Sequence, residues 1–312
     1  MAEPLRPLVD LLFTGPWSRV WPFVALPLLA FWALRRALDR LETGGDPRRQ
    51  ARLAALAACV PGLITLGLSA HAALGFRAFA PESLDCYVKL LGPVLLAGAA
   101  LARSGGGLAA RSARLARVVR HAGPPSPRLA RLAGEVGVPV REVAVEASIC
   151  FVSGLRRPAV IVSAGALGAL SDEEIRAALL HERAHLQNRD GLWTTAVTAV
   201  SEFCLFSSRR ALRLYRACRE ALADDEAARQ VGRTEVAGVL VRFARSAARL
   251  PVPSSLAEPD GLERRVRRLV APPASPERDA PRATAAFAFA AALALYPILA
   301  AALERFVFRC RP

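Results

Sequence analysis

Long apolar runs and arginine-rich polar stretches alternate toward both ends of this chain, while shorter periods fill its middle. Residues 17–34, 53–76, 84–102 and 284–303 are almost uninterrupted apolar sequence. A helix needs about 20 such residues to cross a bilayer, so each run predicts a membrane span. Pro61-Gly62 predicts a kink in the second run, and His71 falls near its far end. Trp17 and Trp21 are amphipathic rings of the kind that sit at a membrane–water interface. A Gly105-Gly106-Gly107 hinge follows the third run. Arg111, Arg114, Arg117 and Arg120 then recur at the spacing of one basic helix face.

Between 128 and 270 the period shortens. Residues 128–136 predict a short helix, and 142–146 alternate as a strand does. Two β-branched runs, 149–152 and 159–162, flank Gly154-Leu155-Arg156-Arg157-Pro158, which predicts a hairpin. Ser171 followed by Glu174 is a capping box, in which hydroxyl and carboxylate satisfy each other's orphan backbone N–H groups. It opens a helix whose apolar stripe is Ile175, Ala178, Leu179 and Leu186. Residues 192–206 are apolar again but carry Glu202, which reads as a buried or membrane-dipping helix. Helices are predicted over 209–230, 233–247 and 262–269, with a loop at 251–259 and a linker at 272–281.

Composition sharpens this picture. The 312 residues are 53% hydrophobic and carry a formal charge of +15, and Lys89 is the only lysine. Arginines crowd the loop 35–52 and the segment 103–120, whereas Arg77 stands alone in the loop 77–83. The positive-inside rule then places the N-terminus outside and everything from 103 to 283 in the cytoplasm. Arginine beside apolar spans meets anionic lipid, so membrane lipid is an expected partner and nucleic acid is not. The six cysteines form no C-x-x-C pair and predict no zinc ribbon or redox motif. They read as small buried hydrophobes, except that Cys86 and Cys310 fall on one predicted outer side and could pair there. No cleavable signal peptide is recognised.

The candidate chemistry sits on the capped helix. His181 and His185 are four residues apart, so their imidazoles project from one face, one turn apart, with Glu182 between them. This is H-E-x-x-H: two imidazoles to hold Zn²⁺ and a carboxylate to take a proton from the attacking water. A catalytic zinc needs a third protein ligand and an open position. Glu220 and Asp224, four apart on the next charged helix, supply it: one can bind metal while the other fixes a histidine tautomer. If 175–206 were one helix, His185 would lie about 33 Å from the turn at Ser207-Ser208 and Glu220 about 20 Å from it. The chain must therefore break after the motif, and Asp190-Gly191 is the expected place. A span at 192–206 is excluded too, since it would put His185 and Glu220 on opposite sides of a membrane.

The run from Val160 to Ile175, then H-E-R-A-H-L-Q-N-R-D, then E-A-L-A-D, resembles the integral-membrane gluzincin peptidases. Two branches fit. The layout of three spans, a protease segment and one more span resembles the BlaR1/MecR1-like peptidase M56 family. The local pattern H-E-x-x-H…E-x-x-A-D resembles the HtpX/Ste24-like peptidase M48 family. A BlaR1-type receptor continues into a large sensor domain after the last span; this sequence does not, which argues against β-lactam sensing. The resemblance implies one catalytic Zn²⁺ on His181, His185 and Glu220, Glu182 as general base and later proton donor, and Asp224 behind the ligands. It also implies that a peptide substrate adds as a strand near Ile149–Ser153. No oxyanion donor is assigned; Arg264 and Arg265, in a segment that resembles the family's basic E-R-I/V stretch, are candidates for it but are read mainly as surface or lipid contacts. His121 is read as structural or exposed.

The expected fold is therefore an α-helical membrane protein with about four transmembrane helices and an inserted α+β zincin-like metallopeptidase domain. Its parts are 1–103 with three spans, a basic linker 104–127, the peptidase 128–270, a linker 271–283, the fourth span 284–303 and a tail 304–312. The expected function is a zinc metalloendopeptidase of the bacterial cytoplasmic membrane, hydrolysing a protein or peptide substrate on the cytoplasmic face. A transcriptional repressor in signalling and misfolded membrane proteins in quality control are the alternative substrates. A non-catalytic zinc scaffold or sensor is the competing class.

Overall fold

A computed structural model describes residues 46–78, 119–202, 208–247 and 259–271, with scattered positions between 29 and 38 and between 95 and 116. Its elements run α1 (Pro47–Ala78), β1 (Ala122–Gly123), α2 (Pro127–Val136), β2 (Val140–Val143), β3 (Cys150–Ser153), β4 (Ala159–Ser163), α3 (Ala164–Ala169), α4 (Asp172–Gln187), α5 (Asp190–Glu202), α6 (Arg209–Val231), α7 (Arg233–Ala247) and α8 (Pro259–Val270).

Pro127 opens α2, where a missing N–H costs nothing and the ring presets φ. The helix buries Leu129, Leu132, Ala133 and Val136, the spacing of one face. The sheet order is β1-β2-β4-β3. β2 runs parallel to β4, and β3 pairs antiparallel with β4 as the predicted hairpin. Gly154 at its turn has φ +100, and a Cβ there would meet the Arg157 carbonyl oxygen at 2.7 Å, so the turn requires glycine. The first strand sits at 140–143 rather than 142–146. The chain folds back after Val143 because Gly165, at the start of α3, donates to the Val145 carbonyl at 2.9 Å. Gly165 packs so closely that a Cβ would lie 1.8 Å from the Glu146 oxygen.

The capping box forms as expected: Ser171 Oγ accepts from Glu174 N–H at 3.3 Å, and Glu174 Oε2 accepts from Ser171 N–H at 2.8 Å. From that start α4 packs on α2, β3, α6 and α7. Ile175, Ala178 and Leu179 enter a core shared with Val160, Val162, Ala227, Leu240, Phe243 and Leu269. The break after the motif exists but comes earlier than Asp190-Gly191. Helix α4 ends at Gln187, Arg189 turns the chain with φ +52, and Asp190 already opens α5. Gly191 is an ordinary helical residue, and the left-handed step falls on a non-glycine at a cost of about 1–2 kcal/mol.

A second core joins α1, α5 and the first half of α6 through Ala54, Ala57, Ala58, Val60, Val197, Leu214, Tyr215 and Cys218. Helix α6 thus belongs to both cores, with its N-terminal half against α1 and Ala227 in the first core.

This second core corrects the membrane expectation. Among the described residues no helix is long and apolar enough to cross a membrane. The chain is mostly helical with a small sheet, and the four expected transmembrane helices are not shown. The run 53–76 lies in α1, and the apolar side chains read as lipid-facing are in part buried against protein: Leu53, Ala54, Ala58 and Ile64 are 8%, 0%, 0% and 0% exposed. Apolarity alone does not distinguish a lipid neighbour from a helix neighbour. The expected spans 17–34, 84–102 and 284–303 fall mostly or wholly outside the described residues. In α5, Val197, Thr198 and Ser201 are buried whereas Leu192 and Trp193 are exposed; residues 203–207 lie outside the described ones. Cys150 and Cys218 are buried and Cys59 half-buried, all three free; Cys86 and Cys310 are outside the described residues. His121 is exposed.

Candidate metal centre

Helix α4 presents His181 and His185 inward, both buried. Their rings meet edge to face, centroids 4.8 Å apart, and their Nε2 atoms stand 3.1 Å from each other. Glu220 enters from α6, with Oε2 at 3.5 Å from His181 Nε2 and Oε1 at 3.6 Å from His185 Nε2. The three residues offer ligand atoms that all lie within 4.8 Å of one another. Zinc ligands about 2.0–2.2 Å from a tetrahedral ion stand about 3.3–3.6 Å apart, so this triangle has the right size. Its chemistry fits as well. Each Nδ1 faces a carboxylate, so both Nε2 atoms and the Glu220 carboxylate converge on one point, a donor set that suits a divalent cation. The Glu220 side chain is 19% exposed, while its Oε2 is buried.

Behind each histidine stands an aspartate, and behind each aspartate an arginine. His181 Nδ1 lies 3.1 Å from Asp224 Oδ1. That separation is an ion-pair distance, although the contact does not meet hydrogen-bond geometry at Nδ1. Asp224 is gripped by Arg265 of α8, Nε to Oδ2 at 2.8 Å and Nη2 to Oδ1 at 2.6 Å. Arg265 Nη1 also reaches Glu220 Oε2 at 2.9 Å, again as an ion pair without hydrogen-bond alignment. His185 Nδ1 lies 2.7 Å from Asp190 Oδ2, and Asp190 Oδ1 accepts from Arg219.

The electrostatics follow from this layout. Burial alone would lower the His181 pKa, yet Asp224 and Glu220 hold it up at about 9. Burial would raise Asp224, but His181 and Arg265 pull it below the ordinary carboxylate range. Glu220 is likewise lowered against its burial, by His181 and Arg265. Glu182 goes the other way: burial pushes its pKa up, and the nearby histidines only partly oppose this. Its carboxylate takes a backbone hydrogen bond from Val152 of β3, while Oε1 has no partner. A buried acceptor left free beside a metal triangle is a group held ready for a proton.

All five residues expected from the sequence come together here. Three others were missed. Asp190 was read only as a chain break, Arg219 not at all, and Arg265 as a surface or lipid contact or, less favoured, an oxyanion donor, although it is 7% exposed and pairs with Asp224. A signal for Arg265 existed: Leu262, Val266 and Leu269 mark the inner face of α8, and Arg265 falls on that face. Arg264, by contrast, is exposed.

Residues 126–250 match the model of peptidase family M48. M48 is a family of zinc metallopeptidases, and the matched segment contains His181, Glu182, His185, Glu220 and Asp224, so the match supports a metallopeptidase acting on a protein or peptide. It supports the M48 resemblance; the M56 resemblance, which rested on the arrangement of spans, finds no support. Arg265 lies beyond the matched residues. No curated protein and no solved structure matches the chain.

Proposed function

We propose that this chain is a zinc metalloendopeptidase of the H-E-x-x-H…E-x-x-A-D type. One observation carries the reading: the Nε2 atoms of His181 and His185 and the Glu220 carboxylate converge on one point, beside a buried glutamate with a free oxygen. His181, His185 and Glu220 hold the metal. Zinc, when bound, supplies Lewis-acid polarisation of the scissile carbonyl and makes water a competent nucleophile at neutral pH. Glu182 takes the proton from the attacking water and returns it to the leaving amine; its raised pKa suits both tasks. Asp224 orients His181. Strand β3 is an edge of the sheet and pairs only with β4 among the described residues, so an extended peptide can add along its other side, next to Glu182.

Glu182→Gln tests the mechanism. Hydrolysis of an unstructured protein such as casein falls about 10²–10⁴-fold while bound zinc stays at the parental level. Proteolysis retained in this variant removes Glu182 from its role, and a parent that binds no zinc removes the whole reading. The same variant traps substrate. A single repressor in the trap assigns a signalling role, and a spread of misfolded proteins assigns quality control.

A further inference from the structure

We infer that Asp190 and Arg219 form a positioning relay for His185: Arg219 holds Asp190, and Asp190 holds the proton on Nδ1, so that Nε2 stays bare toward the metal. The inference rests on the zinc-site reading above. It goes beyond that reading because neither residue is one of the three ligands, the general base or Asp224.

Asp190 is the first residue of α5, and an aspartate there could serve the helix dipole alone. Its surroundings say otherwise. It is 7% exposed, and each of its oxygens has its own partner: Oδ2 lies 2.7 Å from His185 Nδ1 and Oδ1 accepts from Arg219. Arg219 and Glu220 are neighbours on α6, and adjacent helical residues point about 100° apart. One turn of α6 therefore sends Glu220 to the ligand triangle and Arg219 to the carboxylate behind the neighbouring histidine. The left-handed Arg189 swings the chain so that Asp190 lies against the last turn of α4.

A neutral imidazole has one proton and two nitrogens. It can bind metal through Nε2 only if the proton is on Nδ1, and a carboxylate at Nδ1 enforces that tautomer. The arginine makes the device directional. In Asp190→Asn, Arg219 claims the amide oxygen and leaves the NH₂ group facing His185 Nδ1. That amide donates to Nδ1, drives the proton to Nε2 and blocks the ligand. Asp190→Ala lacks this wrong donor.

Zinc affinity of the full chain, measured by competition with a chromogenic chelator, tests the relay without requiring activity. Asp190→Asn is expected to weaken zinc binding about 10–100-fold, and by more than Asp190→Ala. Adding Arg219→Met to Asp190→Asn frees the amide to rotate and restores part of the affinity. A merely structural aspartate would not produce that order or that rescue. Circular dichroism checks that each variant is folded. If the Asp190 variants do not fold, Arg219→Gln is compared with Arg219→Lys, and only the glutamine should weaken zinc. The relay is overturned if Asp190→Asn binds zinc within threefold of the parent, or no more weakly than Asp190→Ala. It is also overturned if the two Arg219 variants, used as the fallback, bind zinc alike. A parent that takes up no zinc overturns the zinc-site reading and the relay together.

Discussion

His181 and His185 are one helical turn apart and are held by the same chemistry, yet the two supports are built differently. Behind His185 the aspartate is local, five residues away across the α4–α5 turn, and its arginine lies 29 residues further on. Behind His181 both supports are distant: Asp224 comes from α6, and Arg265 is a further 41 residues along on α8. The local support forms once the chain turns at Arg189. The distant one forms only when α6 and α8 have docked on α4. Exposure differs in the same sense, with side chains 1% and 8% exposed for Asp224 and Arg265 against 9% and 19% for Asp190 and Arg219. The His181 side therefore carries more of the fold's stability, and the His185 side can be altered with less risk to it.

The largest blow to this contrast is Asp224→Ala. It strips a buried guanidinium of its main partner, and breaking such a pair costs about 3–5 kcal/mol. Urea unfolding of the metal-free protein should show it. The matching Asp190→Ala should cost about 1.5–3 kcal/mol, because it removes hydrogen bonds to charged groups while Arg219 keeps a route to solvent. Equal losses in the two variants would end the distinction.

Acidity sharpens it from another side. The His181 pKa is raised from 6.5 to about 9, so its stabilisation is fully present below pH 6.5 and is lost as pH rises through about 9. Asp224 and Glu220 are lowered, so their share is present above their ordinary values of 3.8 and 4.5 and is lost as pH falls below them. The metal-free protein should thus be most stable between roughly pH 4.5 and 6.5 and lose on the order of 3 kcal/mol by pH 9, counted once for the pair. Thermal melts across that range check it, and Asp224→Asn should flatten the alkaline loss. Zinc competes with the same proton, so its affinity should climb as pH rises toward 9. Ser171→Ala gives the smallest effect. It removes the capping box at the far end of α4, costs about 1 kcal/mol in urea unfolding and disturbs both histidines alike.

How much of this was legible along the chain depended on distance. The α4 start, the hairpin and the α6 helix follow from spacings within four or five residues, which the backbone realises directly. The break after the metal motif was required by arithmetic but misplaced, because glycine was expected to make the turn and Arg189 made it instead. The apolar run 53–76 was misread because hydropathy records apolar character and not what covers it; Ala54, Ala57 and Ala58 are packed against α5 and α6. Arg265 was missed because an arginine in a basic helix reads as solvated unless the partner across the interface is known.

The amino-acid order alone determined which groups could act together: two imidazoles one turn apart with a glutamate beside them, and Glu220 and Asp224 one turn apart on a second helix. A helix carries its own geometry along its axis, so those pairings needed nothing from elsewhere. Only the tertiary structure decided which carboxylate stands behind which histidine and which arginine secures each carboxylate. Those choices depend on how α5, α6 and α8 dock on α4. Docking is set by packing between distant segments and by the need to pair each charge it buries.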